Sequence, residues 1–275
     1  MRFFSYGQAR VAFCSILVLA LCGACTGRKP ESAPETSGVR ARLGGFALST
    51  SGPADEITPS LAYKGADITQ TGETVRAVDP EQEVRNFPLP GCRSMKVEMF
   101  TGGANCCFRY YLLSECPDGS HAAYIEPRDG GMGAANASMR AYTMDDAAFF
   151  YYSPAGQTAD QSGDAPFSFS RAESPRITRY IVYENGEWRP DRPGEFKAAY
   201  RSLRAQAVRG EGVPGAKAVM AAYYSLMAGD AEDTAMRTLS MNLPGKYRKL
   251  SPGIFADIKK AVADFNPVKN LDLPR

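Results

Sequence analysis

Residues 92–116 read CRSMKVEMFTGGANCCFRYYLLSEC. Met95, Val97 and Met99 alternate with Lys96 and Glu98, the period of two of a β-strand. Phe108 to Leu113 is a dense aromatic and aliphatic run. The pattern predicts one strand over Ser94–Thr101, a turn around Gly102–Asn105 and a second strand over Cys106–Ser114. In such an antiparallel hairpin, paired positions sum to about 207. Position 92 then lies near 115 and position 116 near 91, so Cys92 and Cys116 meet at the open end, within reach of a bridge. Four cysteines allow three pairings. The pairings that join Cys106 or Cys107 to Cys92 or Cys116 must span most of a strand, at about 3.3 Å per residue. Pro90 and Gly91 can kink the approach to Cys92 and move the register by one residue.

To either side of this hairpin, from about Val39 to Arg189, the signals are mostly strand and turn. Ala147 to Tyr152 is a second apolar run. In Arg176 to Glu184, Ile177, Arg179, Ile181 and Tyr183 share one phase of the alternation. Asn185-Gly186 follows, the strongest short hairpin signal because both central residues of the turn need positive φ. This turn places Tyr183 opposite Trp188. Short strands separated by turns suggest a β-meander, a sandwich or a partial propeller.

After Pro193 the period becomes helical. Phe196, Ala199, Tyr200, Leu203 and Ala207 form one stripe; Val219, Ala222, Tyr223, Leu226 and Met227 form another. Asp230 is placed to cap a third helix carrying Met236 and Leu239. Ser251 and Pro252 read as N-cap and first turn of a fourth, with Ile254, Ile258, Ala261, Val262 and Phe265 on its apolar face. These stripes read as core rather than cofactor site. The expected fold is α+β: an antiparallel meander or sandwich-like β-rich domain over 39–192, then a small helical domain over 193–275.

At the other end, Arg2 and Arg10 precede an uncharged stretch from Val11 to Leu21, the length of a signal-peptide core and too short to span a bilayer as a helix. Leu21-Cys22-Gly23-Ala24-Cys25 resembles the lipobox of bacterial lipoproteins. That resemblance implies a signal peptide over 1–24, acylation of Cys25 and a membrane anchor of several acyl (palmitate-like) chains, far stronger than one chain. The chain departs from the family in carrying Cys22 where Leu is preferred, and cleavage after Ala24 by an ordinary signal peptidase is the competing reading. Thr26 rather than Asp after the cysteine points to the outer membrane where sorting follows the enteric rule. Residues 25–38, polar and containing Pro30 and Pro34, read as a disordered tether. Gly102-Gly103-Ala104-Asn105-Cys106-Cys107 resembles a Gly-Gly-Ala-His/Asn-Cys-Cys motif of uncharacterised exported bacterial proteins, which implies the same address and no activity.

An exported chain meets an oxidising compartment, so a Cys92–Cys116 disulfide is expected. Cys106 and Cys107, neighbours on a strand, point to opposite faces. Two reduced thiols or an oxidised, vicinal pair both fit, and the oxidised pair is preferred because free thiols are a liability outside the cytoplasm. A thiol–disulfide oxidoreductase would show Cys-x-x-Cys at a helix N-terminus. A Cu(I) site on Cys106 and Cys107 with Met95 or Met99 is the metal alternative, but alternating methionines read as core.

Without Arg2 and Arg10, 30 of the 32 basic side chains face 30 acidic ones, and the balance argues against nucleic acid as a partner. From Glu195 onward there are 13 basic and 8 acidic side chains, read chiefly as a solvated surface. His121, the one histidine, follows Pro117-Asp118-Gly119-Ser120 and reads as a surface turn residue. Gly130 to Asn136 lacks the Gly-Lys-Ser/Thr of a phosphate loop. Asp145-Asp146 could serve hydrolysis as a carboxylate pair, and Asp160 with Asp164 could hold Ca²⁺ without a fixed ligand set; solvated loop acids are the plainer reading. No cofactor or metal is expected. The reading is a lipid-anchored, periplasm-facing envelope protein that binds or scaffolds, with the tyrosine-rich second helix as the expected partner contact. The alternative is an envelope hydrolase using Asp145 and Asp146.

Overall fold

The computed structural model describes residues 37–102, 107–128, 130–155 and 166–275. The lipobox-like segment at Leu21–Cys25, nearly all of the tether, Cys106, Asp160 and Asp164 lie outside the described residues. Among the described residues the fold is α+β, with three antiparallel sheets and four α-helices. The first sheet is β1 (Gly38–Leu43), β2 (Phe46–Ser51), β3 (Thr58–Tyr63) and β4 (Ala66–Asp67), in that order. The central sheet holds β5 (Ala77–Pro80), β6 (Val84–Arg85), β7 (Arg93–Phe100), β8 (Phe108–Cys116) and β9 (Gly119–Ile125). The third is β10 (Met132–Asn136), β11 (Ala141–Asp146), β12 (Ile177–Glu184) and β13 (Glu187–Pro190).

The alternation of side chains sorts these strands into layers. Tyr111 and Leu113 of β8 join Phe46, Leu48 and Leu61 in a core between the first and central sheets. Tyr110 and Leu112, one residue out of phase, join Tyr142, Ile181 and Trp188 in a second core between the central and third sheets. On β12, Ile181 and Tyr183 serve that second core, whereas Tyr180 and Val182 face a third core against the helices. Tyr110–Leu113 is therefore apolar without alternation because both faces of its strand are covered.

β7 and β8 pair with positions summing to 208, for example Met95 with Leu113 and Phe100 with Phe108. That one-residue difference from the expected register sets positions 92 and 116 opposite each other. Cys92 and Cys116 form a disulfide with Cα atoms 4.1 Å apart. Cys107 is also disulfide-bonded. Tyr183 lies opposite Trp188 as expected, across a turn with φ of 54° at Asn185 and 87° at Gly186. A Cβ on Gly186 would sit 3.2 Å from His121 Cε1. Strain at positive φ, about 1–2 kcal/mol for a side chain with Cβ, adds to that crowding. Gly186→Ala is expected to lower the urea unfolding free energy by at least about 1 kcal/mol, and an unchanged midpoint would contradict the turn assignment.

The helices are α1 (Lys197–Arg209), α2 (Pro214–Met227), α3 (Glu232–Asn242) and α4 (Ser251–Ala263). They do not form a core of their own. Tyr200, Val219, Tyr223, Leu239, Ile254 and Ile258 pack with Ala141, Ile177, Tyr180 and Val182 of the third sheet. The chain beyond Pro193 is not helical to its end either: β14 (Val268–Asn270) pairs antiparallel with β9. Asn270 binds the backbone N–H and C=O of Trp188 at 2.9 and 2.8 Å. Residues 193–275 are thus tied at both ends to the sheets.

Two expected caps differ. Residue 231, not Asp230, precedes α3, because the Asp230 carboxylate is held by Arg204 Nη1 (2.5 Å) and Ser225 Oγ (2.7 Å). Ser251 is the first residue of α4 rather than its N-cap, and Pro252 stands in the first turn.

Candidate functional site

Arg179 stands on β12 in phase with Ile177, Ile181 and Tyr183, and its side chain is only 2% exposed. A buried guanidinium is tolerable only when paired and hydrogen-bonded. Its Nε donates to Asp191 Oδ1 at 2.8 Å, its Nη2 to the Asp191 carbonyl at 3.0 Å and its Nη1 to Tyr223 Oη at 2.6 Å. The guanidinium also stacks on the Phe265 ring, 4.1 Å from its centroid. The Tyr200 hydroxyl of α1 donates to Asp191 Oδ2. The Tyr223 hydroxyl of α2 donates to Asp146 Oδ2 at 3.2 Å, and Asp146 Oδ1 accepts the Ala148 N–H at 3.1 Å. One guanidinium, two carboxylates and two phenols thus form a continuous buried network joining β11, β12, α1, α2 and the segment after β13.

Burial governs its electrostatics. Loss of solvation raises the Asp191 carboxyl above the usual range, with Arg179 and the Tyr200 hydroxyl pulling it back. Asp146 is likewise raised by burial, opposed by Arg128, Arg179 and Tyr223. Burial holds the Tyr200 and Tyr223 hydroxyls protonated, well above ordinary phenol values. Burial works against the Arg179 cation, but Tyr223 and Asp191 outweigh it and the guanidinium stays charged.

Arg179 and Asp191 form part of the wall of a cleft of about 640 Å³ between the end of β13, the α2–α3 turn and the last turn of α4. Leu226, Val262, Ala263 and Phe265 supply its apolar surface. Charge pairs of both signs surround it. Lys259 meets Glu232 at 2.9 Å, Arg189 meets Glu195 at 2.7 Å and Glu184 at 2.8 Å, and Arg204 meets Asp230 at 2.5 Å. Gly229 makes the turn that closes one side: it has φ of 77°, and a Cβ there would lie 2.9 Å from Gly194 Cα.

The residues singled out from sequence are distributed differently. Tyr223 and Tyr224 of α2 are 0% and 3% exposed, so the tyrosine-rich helix is core and not a contact surface. Asp145 and Asp146 end β11 and do not sit in a solvated loop; Asp146 is 1% exposed, with both oxygens engaged. His121 lies within β9 rather than in the turn, its ring edge against Tyr183. Cys116, Asp118 and His121 bring potential metal donors within 4.8 Å of one another, but the Cys116 sulfur is bonded to Cys92 and leaves no thiolate. Met95 and Met99 are buried in the core between the first two sheets. Gly130–Asn136 runs into strand β10.

Arg179 and Asp191 were not singled out from sequence. The available signal was a charged residue in the apolar phase of a strand. Comparison with protein-family models, with curated proteins and with solved structures finds no match for this chain, so its function has to be read from its own residues.

Proposed function

We propose that this is a lipid-anchored cell-envelope protein that works by binding, and that the cleft beside Arg179 receives a polypeptide segment of an envelope partner. The address rests on the N-terminal sequence: the basic start, the apolar stretch and Leu21-Cys22-Gly23-Ala24-Cys25. The observation that carries the activity is the cleft itself. Its size falls within the ~300–1,000 Å³ of ordinary ligand pockets. Its apolar floor suits an aliphatic or aromatic side chain, and its rim offers carboxylates and cations to the polar groups on either side of one. A peptide has that mixed character; a simple anion or a lipid tail does not.

Catalysis by Asp145 and Asp146 is disfavoured by their geometry. Asp146 is locked by Tyr223 and Ala148, which leaves Asp145 without a second free carboxylate.

The test places a photo-crosslinking amino acid at Val262, in the cleft, or at exposed Val208, outside it, in the full chain expressed in its native envelope. Val262 is expected to yield one discrete polypeptide adduct, mapped by peptide sequencing and lost when Leu226→Trp fills the cleft. Val208 is expected to yield none. Adducts equal at both positions, or insensitive to Leu226→Trp, would remove the cleft from consideration. In the same strains Cys25→Ser is expected to abolish palmitate labelling and membrane retention; retention of both would refute the anchor.

A further inference from the structure

On the far side of the buried network lies a second cleft, of about 360 Å³, where Asp146 forms part of the wall. It is bounded by the end of β11, by Gly130 and Gly131, and by the segment that carries Arg171 and Arg176. Its walls include the rings of Phe108 and Phe150. Three of its charged side chains, Arg171, Arg176 and Asp145, have no partner among the described residues. Among the described residues, the Arg171 and Arg176 guanidiniums have no ion-pair or hydrogen-bond partner; Arg171 only stacks over Phe150, 5.4 Å from the ring centroid. Asp145 is half-buried, and among the described residues its side chain accepts no hydrogen bond. Its backbone N–H is taken by the Gly131 carbonyl at 2.9 Å. Asp145 and Arg176 line the same space; burial raises the Asp145 carboxyl and Arg176 opposes that rise.

Most charged groups around the first cleft are paired with one another, whereas here two cations and one anion remain unpaired around a small, aromatic-walled space. Asp146 does not compete for a ligand, since Tyr223 and Ala148 occupy its oxygens. A ligand that satisfies the three free groups carries a carboxylate and an ammonium close together, with an apolar side chain for the Phe108 and Phe150 rings. Forked guanidinium donors match a carboxylate geometrically, and an ammonium supplies the donors that Asp145 lacks.

We propose that this second cleft binds a zwitterion of amino-acid size, with its carboxylate on Arg171 and Arg176 and its ammonium on Asp145.

This site is independent of the polypeptide cleft, so the two readings can fail separately. The experiment is calorimetric titration of the full chain with L-leucine, N-acetyl-L-leucine, L-leucinamide and inorganic phosphate. L-Leucine is expected to bind at least tenfold tighter than either blocked form, and phosphate not measurably. Asp145→Asn is expected to weaken L-leucine at least tenfold and leave N-acetyl-L-leucine unchanged or tighter. Arg176→Gln is expected to weaken both and to spare L-leucinamide. This crossed pattern cannot come from misfolding, and Leu226→Trp in the other cleft should not alter it. No heat with L-leucine, equal binding of the blocked forms, or binding of phosphate alone would overturn the proposal.

Discussion

Arg179→Met is expected to lower the unfolding free energy by about 3–5 kcal/mol, the range for removing one partner of a buried ion pair. The fully enclosed Asp191 carboxylate is then left with the Tyr200 hydroxyl and no cation. The loss should appear as a shift of the urea midpoint at constant m value. Arg179→Lys should rescue only part of it. Three N–H groups of the guanidinium fork reach Asp191 Oδ1, the Asp191 carbonyl and Tyr223 together, and an ammonium does not reproduce that planar geometry. Adding Asp191→Asn to Arg179→Met should recover stability relative to Arg179→Met alone, which is the signature of direct coupling in a double-mutant cycle.

The pH dependence has a definite sign. With Arg179 gone, the Asp191 carboxyl rises further above its unfolded value, since burial is no longer opposed by the cation. A group raised in the folded state contributes stability below its unfolded pKa and loses it as pH climbs through the folded one. The deficit of Arg179→Met should therefore be smaller at pH 4 than at pH 7. A loss under about 1 kcal/mol at pH 7, in the range of an exposed pair, would show that the network does not hold the helices to the third sheet as described.

The extent to which this arrangement was legible in the sequence follows from which physics acts locally. The Asn185-Gly186 turn needs only local backbone geometry, and it placed Tyr183 opposite Trp188 correctly. The β7–β8 hairpin was also readable, within one residue, because alternation and two cysteines constrain it from both ends. What alternation does not reveal is whether a strand's second face is covered. Lys96 reads as the solvent side of β7, yet it is 3% exposed. It donates to the carbonyls of Met132 and Gly133, pairs with Glu81 at 2.8 Å and lies near the rings of Tyr110 and Tyr142. The partners that make its burial tolerable come from the third sheet and from β5's flank, and no local pattern announces them.

The same blindness explains α2. Ala218, Val219, Ala221, Ala222, Tyr223 and Tyr224 are all buried, which is a helix enclosed on nearly every side. Its tyrosines suggest a contact face only if one face is assumed to be free. β14 is three residues long and follows a helix, too short for any period to show. Of the charged residues lining the second cleft, Asp145 and Asp146 were weighed in advance as the alternative, hydrolytic reading; their different roles depend on Tyr223, 77 positions from Asp146.

Replacing Cys92 and Cys116 together with serine is the second change expected to be large. The bridge closes a loop with a sequence separation of 24. The chain-entropy relation gives about 3.5 kcal/mol for a loop of that size. The native state should be little disturbed, because the eight residue pairs from Arg93–Glu115 to Phe100–Phe108 hold the register without the bridge. Chemical reduction is the wrong test, since Cys107 is also in a disulfide and would be reduced as well. The paired substitution leaves that second bridge intact. Its effect should therefore be read from urea unfolding of the double variant against the parent, at equal m value. If β7 and β8 pair in the folding transition state, the loss falls mostly on the folding rate, and the unfolding arm of the chevron stays nearly unchanged. A loss confined to the unfolding arm would instead assign the bridge to a late step, locking a hairpin whose neighbours are already in place. A total loss below about 1 kcal/mol, far under the 2–5 kcal/mol usual for a native disulfide, would mean that the unfolded chain already keeps positions 92 and 116 close together.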